Sequence, residues 1–452
     1  MRQFSVSMRG WGSMVAGAAL LTACASGPQI SVSGPGESPA APEPEVSAET
    51  PPASETAPQD PLIFAPSGNS DMDRWRRDFA ARAVAGGRDR EVVYATLKNI
   101  RPLDLYLGLQ AKTAGTDVGS QAEFAKPIWE YVSTAVTEGR KSRGAERLSE
   151  LADTFAAIET AYGVDRETLT AIWAMETNLG SYMGNFDAAN TLANMAVEGR
   201  RRGLGESELL ALMKLQEQGE VSRNQLTSGW AGAMGQTQFM PSTFLNFAVD
   251  FDGDGRKDLW RSAPDALASA ANYLSASGYQ NNMPWGIEVI APTGFEWALA
   301  DGQDRRLSTW MSKGLVPITG DEFSVSENTY AELWLPSGAT GPKFLLFKNF
   351  DVFKTYNRSD SYALSVGLLS NGVLGVDGPI AVWPTDLQLL SKTQIKTLQA
   401  SLNRQGFDAG PIDGIAGRGT KGALRRFQAS NGVVPSDGYP TQLALDQVLA
   451  AE

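Results

Sequence analysis

The sequence predicts a mainly α-helical protein of the α+β class, with one small β-rich segment in a chain of 452 residues. Apolar residues recur three or four positions apart up to Gly278 and again after residue 385, which is the spacing of amphipathic helices. From Trp285 to about Phe347 the pattern changes to short apolar runs separated by Gly and Pro, which favours strands. A chain of this length can form two or three domains, each with its own core.

The charge and the residue types present exclude several classes of function. A formal net charge of −12 is unsuited to nucleic acid, because phosphate binding needs a basic surface. The chain contains no histidine, which excludes Ser-His-Asp and Cys-His nucleophilic catalysis and every His-ligated metal site. Acid–base catalysis must therefore rely on carboxylates, and no cofactor is required for such chemistry.

The first 24 residues have the pattern of an export signal. Arg2 and Arg9 give a positive start, and the apolar run Trp11–Leu21 is too short to span a bilayer. The sequence LTAC, ending at Cys24, resembles a bacterial lipobox, which implies a lipid anchor on Cys24; an ordinary signal peptide is the alternative. By the sorting rule of such lipoproteins, Ala25 favours the periplasmic face of the outer membrane of a Gram-negative bacterium.

Residues 25–70 are predicted to form a disordered tether. The stretch up to about Asp60 is rich in Pro, Ser, Ala, Gly and Glu and has no aromatic residue, so it cannot bury enough apolar surface to fold. As a flexible coil it would reach roughly 30–36 Å. That reach would carry a folded domain away from a membrane.

Helical periodicity and capping residues predict four helices in the next part of the chain. Their predicted bounds are Asp73–Ala85, Arg90–Leu97, Pro127–Thr137 and Ala145–Tyr162. Tyr131 lies on the third of them, where an aromatic residue is more often part of a core than of a site.

A further helix, predicted from Asp165 to Gly180, carries the candidate catalytic residue Glu176. Asp165 would cap its start by accepting a hydrogen bond from a first-turn amide, and Gly180 would give a left-handed stop. The residues that share its apolar face are Leu169, Ile172, Glu176 and Leu179. Loss of hydration on such a face raises the pKa of a carboxyl group, so Glu176 could donate a proton near neutral pH. The alternative is a glutamate that reaches water or pairs with an arginine.

A glycine-rich run, GWAGAMGQTQFMP, extends from Gly229 to Pro241. Glycines three positions apart favour neither helix nor strand, but they let backbone amides approach a polar, ring-shaped ligand closely. The run therefore favours a sugar as ligand, with Gln238 as a candidate contact.

An acidic loop from Asp250 to Asp258 has the first half of an EF-hand pattern, with the glycine that the sharp turn requires. Arg261 stands where the pattern has its closing Glu, so Asp265 would have to complete the ring from the following helix. The candidate ligands of a structural Ca²⁺ or Na⁺ are Asp250, Asp252, Asp254, Arg256 through its backbone carbonyl, Asp258 and Asp265. The alternative is an Asp- and Gly-rich turn held by its own side chains.

Three motifs together resemble the membrane-bound lytic transglycosylase B family, over about Phe124 to Leu369. They are Glu176-Thr177, the run AGAMGQTQFMPS, and YNRSDSY from Tyr356 to Tyr362. The resemblance implies a lysozyme-like helical catalytic domain over residues 71–375, with a β-rich insertion at about 285–347. It also implies cleavage of the β-1,4 bond between N-acetylmuramic acid and N-acetylglucosamine in peptidoglycan, leaving 1,6-anhydromuramoyl ends.

The same resemblance implies roles for individual residues. Glu176 would be the single catalytic acid and base, and the cation loop would be completed by a later acid. The residues that would bind substrate are Tyr131, Tyr356, Asn357 and Tyr362. One departure is Gly229, at a position where many relatives have Ser.

Residues 385–452 are predicted to form a small domain of three helices, including Lys392–Arg404 and Thr420–Ser430. The pattern resembles the peptidoglycan-binding type 1 module at Asp413-Gly414, Gly417, Thr420, Ala423, Phe427-Gln428 and Asp437-Gly438. The predicted core residues are Leu398, Leu402, Leu424 and Phe427. The resemblance implies binding to the cell wall.

Two other functions stay open at this point. A hydrolytic muramidase would use water and a second acid such as Asp187, because residues far apart in sequence can be adjacent in a fold. A non-catalytic lipoprotein would instead anchor cell-wall machinery proteins to peptidoglycan, and it would tolerate Gln or Ala at position 176.

Overall fold

The structure is a computed structural model, and it describes residues 62–106 and 126–452. The predicted export signal with Cys24 and most of the predicted tether lie outside the described residues. Of the helices in the described ranges, none combines the length and the apolar content needed to cross a membrane.

Helices dominate the described chain up to the sheet. They are α1 (Ser70–Ala85), α2 (Arg90–Leu97), α3 (Ile128–Ala135), α4 (Glu138–Glu150), α5 (Ala152–Tyr162), α6 (Arg166–Thr177), α7 (Ala188–Glu198), α8 (Arg202–Glu217), α9 (Pro241–Phe247) and α10 (Ala263–Ala276). Several begin where a side chain accepts a hydrogen bond from a first-turn amide, as Asn69, Asp89 and Ser262 do. The prediction of a mainly helical protein is confirmed.

The single helix predicted over Ala145–Tyr162 is wrong, because α4 and α5 are separate helices. Thr137 caps α4 well before the predicted start, and the chain leaves helical geometry at Leu151, with φ −107° and ψ 27°. Leucine is not a residue type that predicts the end of a helix. Packing accounts for the break, since α4 packs mainly against α6 whereas α5 packs mainly against α10.

The β-rich segment forms an antiparallel sheet of five strands. Its elements are β3 (Gly286–Ile290), β4 (Arg305–Arg306), α11 (Leu307–Ser312), β5 (Val316–Pro317), β6 (Tyr330–Trp334) and β7 (Phe344–Leu346), and the strand order is β4-β6-β7-β3-β5. Two other short strands, β1 (Phe186–Asp187) and β2 (Thr227–Ser228), pair beside the helices. A Cβ at Gly367 would lie 2.4 Å from the ring of Trp285, so this glycine permits the close packing of the sheet on a later helix.

After the sheet, the chain returns to helices. These are α12 (Lys348–Tyr356), α13 (Asp360–Val373), α14 (Lys392–Arg404), α15 (Arg418–Ser430) and α16 (Gln442–Ala450). The main core lies among α1–α10, α12 and α13, and the sheet and α14–α16 each have a core of their own. The predicted core residues of the last segment, including Leu398 and Phe427, are buried there.

Candidate active site

Helix α6 passes through the centre of the main core and carries Glu176 on its last turn. From Thr168 to Thr177 every residue is buried except Glu176, which keeps partial exposure. The predicted amphipathic stripe is therefore only part of the buried surface, because α6 is covered on all sides. Within this segment, Glu176 is the residue at which the helix reaches solvent.

The start of α6 differs from the prediction, because the carboxylate of Asp165 does not cap the helix. It accepts hydrogen bonds from the Tyr279 hydroxyl at 2.8 Å, the Asn281 amide at 2.9 Å and the Asn282 backbone N–H at 3.1 Å. These groups come from a distant segment that packs against the helix start. A tertiary contact thus replaces the local cap.

The end of α6 is also earlier than predicted, since the left-handed stop begins at Asn178. Asn178, Leu179 and Gly180 have φ values of 51°, 63° and 78°. A positive φ is unfavourable for leucine, and such strained positions concentrate at functional sites. The sharp turn places Glu176 and Thr177 at the edge of the core.

Glu176 is a largely buried acid to which the described residues supply one direct hydrogen-bond donor. The Tyr362 hydroxyl donates to Oε1 of Glu176 at 2.6 Å. Burial raises the pKa of Glu176 to about 7, and the hydrogen bond from Tyr362 opposes that shift. Among the described residues, no second carboxylate is close enough to affect this pKa. Near neutral pH, the acid is present in both its protonated and its ionised form.

Two further tyrosines, Tyr356 and Tyr131, lie near the pair formed by Glu176 and Tyr362. Tyr356 and Tyr362 are buried, and their pKa values are raised first by burial and then by the charge of Glu176. The Tyr356 hydroxyl donates to the Thr237 carbonyl at 3.2 Å. Tyr131, which is partly exposed on α3, is close enough to raise the pKa of Tyr362 further. The fold therefore brings Tyr356 and Tyr362 beside Glu176 and Tyr131 beside Tyr362.

Asn357 follows Tyr356 directly and is also buried. Its backbone N–H donates to the Phe353 carbonyl at 3.4 Å, which ends α12. The predicted polar turn between two helices is present, because α13 begins three residues later at Asp360.

The glycine-rich run forms a tight turn that is fixed to α6. Met234 and Phe239 exchange two backbone hydrogen bonds of 2.8 and 2.9 Å across this turn. The Thr177 hydroxyl donates to the Gln236 carbonyl at 2.6 Å, which joins the turn to the residue after Glu176. A Cβ at Gly235, where φ is 72°, would lie 2.7 Å from Leu259, so only glycine fits this approach.

The side chain of Gln238 stabilises the same turn through hydrogen bonds to the backbone. Its amide nitrogen donates to the Gly235 carbonyl at 2.9 Å and to the Met183 carbonyl at 3.4 Å. A Cβ at Gly229 would lie 2.7 Å from Oε1 of Gln238. The glycine at position 229 therefore leaves the space that the Gln238 amide occupies.

Two sets of contacts that stabilise this turn were not predicted from the sequence. The buried carboxylate of Glu208 accepts hydrogen bonds from the Ser242 backbone N–H at 2.9 Å and from its hydroxyl at 2.7 Å, at the start of α9. The Tyr273 ring lies 6.0 Å from that of Phe239 and 5.5 Å from that of Tyr356. No local pattern predicts either contact, since each joins elements far apart in sequence.

Asp187, the alternative second acid, has a structural role. Its Oδ1 accepts a hydrogen bond from the Asn190 backbone N–H at 2.8 Å and so caps α7. Arg223 pairs with both of its carboxylate oxygens. The structure does not bring Asp187 close enough to Glu176 to affect the pKa of that acid.

The acidic loop brings three of its predicted ligands together. Carboxylate oxygens of Asp250, Asp252 and Asp254 lie within 4.8 Å of one another and are exposed. Carboxylate oxygens are the donors that a hard cation such as Ca²⁺ prefers, so these residues fit such an ion. The side chain of Arg256 is not needed there, because its predicted contribution is a backbone carbonyl.

The two remaining predicted ligands face the loop backbone. Asp265 is fully buried and accepts hydrogen bonds from the N–H groups of Phe251 at 2.8 Å and Asp258 at 2.9 Å. Asp258 accepts from the N–H groups of Trp260 and Arg261, each at 3.0 Å. Neither carboxylate belongs to the exposed group. Asp265 is buried and needs the hydrogen-bond donors that the folded loop supplies, whereas the partly exposed Asp258 bonds to the backbone that follows it.

Comparison with known proteins gives matches along most of the chain. Residues 71–371 match the transglycosylase SLT domain family, and residues 391–447 match the peptidoglycan binding domain family. Membrane-bound lytic murein transglycosylase B of Escherichia coli (strain K12) is 29% identical over 297 residues, which are 64% of this chain and 79% of that protein.

Solved structures are similar as well. SltB3 from Pseudomonas aeruginosa, in complex with NAG-anhNAM-pentapeptide, is 38% identical with a TM-score of 0.78, covering 84% of this chain and 100% of SltB3. The Escherichia coli lytic transglycosylase Slt35, in complex with calcium, is 26% identical with a TM-score of 0.54, covering 68% of this chain and 93% of Slt35. Since the family match at residues 71–371 spans well over half of the sequence, this chain belongs to the transglycosylase SLT domain family.

Proposed function

We propose that this protein is a lytic transglycosylase that cleaves the β-1,4 bond between N-acetylmuramic acid and N-acetylglucosamine in peptidoglycan. The products would be glycan strands with 1,6-anhydromuramoyl ends, as in cell-wall remodelling or turnover. The observation that carries the proposal is the single acid Glu176, which has a pKa of about 7 at the only partly exposed point of a buried helix segment. Membership of the transglycosylase SLT domain family supports it.

In the first step, Glu176 acts as a general acid. Its proton passes to the glycosidic oxygen as the bond from C1 of N-acetylmuramic acid to that oxygen breaks. The acetamido group of the same sugar supports the electron-poor C1, so the protein needs no second carboxylate as nucleophile. The raised pKa makes this proton available near neutral pH.

In the second step, the same residue acts as a general base. The Glu176 carboxylate takes the proton of the C6 hydroxyl while the C6 oxygen forms a bond to C1, which closes the anhydro ring. Between the two steps the carboxylate is charged, and the Tyr362 hydroxyl stabilises it by donating a hydrogen bond. Glu176 ends protonated, and no water is consumed.

The remaining substrate-binding roles are part of the same proposal. Tyr131, Tyr356 and Asn357 would contact the sugar beside Glu176, since aromatic faces and amides suit sugar rings and hydroxyls. Gln238 would act mainly by holding the glycine-rich turn, because its amide nitrogen already bonds the Gly235 carbonyl.

Two alternatives are less well supported. A muramidase with a second acid would need a carboxylate near Glu176, and Asp187 is held by Arg223 and by the start of α7. A non-catalytic anchor would gain nothing from a buried acid, whose desolvation costs stability.

Mass spectrometry of the muropeptides released from purified cell wall tests the proposal. Anhydro products would support transglycosylation, whereas new reducing ends would support hydrolysis. Binding without any released product would leave only an anchoring role.

We also propose that the described chain is divided into a catalytic domain and a wall-binding domain. Residues 71–375 would form the catalytic domain, with the insertion at about 285–347, and residues 385–452 would form the wall-binding domain. The separate cores of the sheet and of α14–α16 support this division. The match of residues 391–447 to the peptidoglycan binding domain supports binding to the wall.

We further propose that the acidic loop binds a structural calcium ion through Asp250, Asp252 and Asp254. The solved structure of Slt35, a protein 26% identical to this chain, contains calcium. The ion would stabilise the loop beside α10 and take no part in the chemistry, which Glu176 performs.

For localisation, we propose a lipid anchor on Cys24 that holds the protein at the periplasmic face of the outer membrane. The support is the lipobox-like LTAC sequence and the tether composition of residues 25–70. The similar Escherichia coli protein is named as membrane-bound.

A further inference from the structure

A cavity of about 430 Å³ lies where the sheet meets the C-terminal helices. This junction cavity is lined by β6, the start of α12, the first half of α15 and the turn at Asp437–Tyr439. Neither Glu176 nor the tyrosines near it line the cavity, so it is separate from the proposed catalytic site. Its volume is within the range of small-ligand pockets.

The two walls of the junction cavity are held together by a direct contact. The Ala339 backbone N–H donates to Oδ2 of Asp437 at 2.7 Å. A Cβ at Gly338, where φ is 81°, would lie 2.9 Å from the same oxygen and 3.1 Å from Cβ of Tyr439. This tight approach fixes the C-terminal helices against the sheet beside the cavity.

The wall formed by α15 is basic. Arg418, Lys421 and Arg425 are three and four positions apart, so they share one face of the helix. Among the described residues, Lys421 and Arg425 form no ion pair; the nearest interaction of Lys421 is with the Tyr439 ring, 6.0 Å from its Nζ. Arg418 makes only a long contact of 3.6 Å with Glu332.

The opposite wall carries charges of both signs, with acids in excess. Its acids include Asp304, Glu332 on β6 and Asp351 on α12, and its cations are Lys348 and Lys354 on α12, of which Lys354 pairs with Asp360 at 3.0 Å. Burial raises the pKa of Glu332, and the cations of Arg418 and Lys354 oppose that shift. In the part of the chain that the structure describes, Asp304 and Asp351 form no ion pair. Charges of opposite sign therefore face each other across a gap that keeps most of them from pairing.

Such a cavity suits a ligand that carries both charges. Partly buried charges lose hydration, and a ligand group of opposite sign restores the lost interactions through charge-assisted hydrogen bonds. A ligand with only a carboxylate would leave the excess acids of the opposite wall without a partner. A short peptide with a free carboxylate and a free ammonium group would satisfy both.

We propose that the junction cavity binds the peptide part of the cell wall, with a carboxylate at Lys421 and Arg425 and an ammonium group at Glu332 and Asp351. This inference rests on the proposed function, which brings wall peptides to the protein. The solved complex of SltB3 contains such a pentapeptide on its sugar fragment. The site would let the protein recognise peptide-bearing wall in addition to the glycan strand.

The first test varies the ligand and needs no variant of the site. Calorimetric titration of the full-length protein with the free pentapeptide should show binding. Amidation of its carboxylates, or acetylation of its amino groups, should weaken binding about tenfold or more, because hydrogen bonds between charged groups are strong. Equal binding of the modified peptides, or no binding of the free pentapeptide at millimolar concentration, overturns the proposal.

The second test varies the protein. Lys421→Met should weaken pentapeptide binding about tenfold, while Lys98→Met, which removes an exposed lysine directly after α2, should not change it. If Lys421→Met fails to fold, Glu332→Gln replaces it, with weaker binding of the ammonium group expected. Unchanged binding in a folded variant contradicts the assignment to this cavity.

A third titration identifies the source of the peptide. NAG-NAM-pentapeptide should also bind in the cavity of the Glu176→Gln protein, in which no cleavage occurs. Adding Lys421→Met to that variant should weaken the binding of NAG-NAM-pentapeptide. A cavity that accepts only the free peptide is not a wall site. If the wild type releases anhydro products but binds no pentapeptide, this inference fails alone; if it releases none, the proposed function fails.

Discussion

The Tyr362 hydroxyl donates a 2.6 Å hydrogen bond to Oε1 of Glu176 across 186 positions of the sequence. This bond joins the last turn of α6 to the first turn of α13. Because it favours the carboxylate form, it lowers a pKa that burial raises. The balance of the two effects sets the pH at which Glu176 can serve as both acid and base.

Tyr362→Phe should raise the pKa of Glu176 further, because the variant loses the donor that stabilises the carboxylate. The alkaline limb of the pH–rate profile should move to higher pH. The maximal rate should fall about tenfold or more, since a hydrogen bond to a charged group is worth roughly 1.5–3 kcal/mol. Rates of anhydromuropeptide release across a pH series measure both effects.

Tyr273→Phe is the matched control for that variant. The Tyr273 hydroxyl donates to the Thr355 carbonyl and not to Glu176. This control should leave the alkaline limb where it is in the wild type. A Tyr362→Phe profile with an unmoved limb would contradict the role given to the hydrogen bond.

Glu176→Gln should abolish the release of anhydromuropeptides while the protein still folds and binds purified wall. Glutamine keeps the size of the side chain but cannot transfer a proton, and one positioned transfer is worth about 10²–10⁴-fold in rate. Quantitative mass spectrometry of the digest measures the loss. Activity within about tenfold of wild type would remove Glu176 from the mechanism, because one such transfer should cost more.

The same substitution should stabilise the protein in a pH-dependent way. The pKa of Glu176 is raised from 4.5 to about 7, so the folded state holds the proton more tightly than the unfolded state. Wild-type stability should therefore decline as pH rises through this window, by up to about 3 kcal/mol. Glutamine does not ionise and avoids that loss.

Thermal unfolding at about pH 4 and about pH 8 tests this linkage. The melting temperature of Glu176→Gln should exceed that of the wild type at the higher pH, and the two should converge at the lower pH. A constant difference at both values would show that the substitution acts through packing rather than through the proton.

Asp254→Ala should remove the response of the melting temperature to calcium. Exposed carboxylates of Asp250, Asp252 and Asp254 repel one another without a cation, and an ion that binds only the folded state stabilises it by mass action. The melting temperature of the wild type, measured with chelator and with millimolar calcium, gives the reference response. Asp321→Ala, at an exposed acid outside the loop, should keep the full response.

Cys24→Ala should give a protein of unchanged fold that no longer sediments with membranes. Lasting attachment needs two acyl signals, which a lipidated N-terminal cysteine supplies. Fractionation of cells after a high-salt wash measures the partition. Continued sedimentation of the variant would contradict the lipid anchor.

The sequence was sufficient where structure follows from local signals. The helical periodicity, the apolar runs of the sheet and the bounds of Lys392–Arg404 were predicted because each depends on residues a few positions apart. The acid on the catalytic helix was found in the same way. Its chemistry, however, depends on groups that lie far away in the chain.

The tertiary structure alone decided which groups surround that acid. Tyr362 reaches Glu176 and Thr177 fixes the glycine-rich turn, through contacts between segments separated by 186 and 59 positions. Packing also gave Asp165 and Asp265 hydrogen-bond partners other than the predicted ones, because a partly or fully buried carboxylate bonds to whichever donors the fold supplies. Residue types and short-range spacing thus determined the elements and the candidate acid, while long-range packing determined its hydration, its hydrogen bond and therefore its pKa.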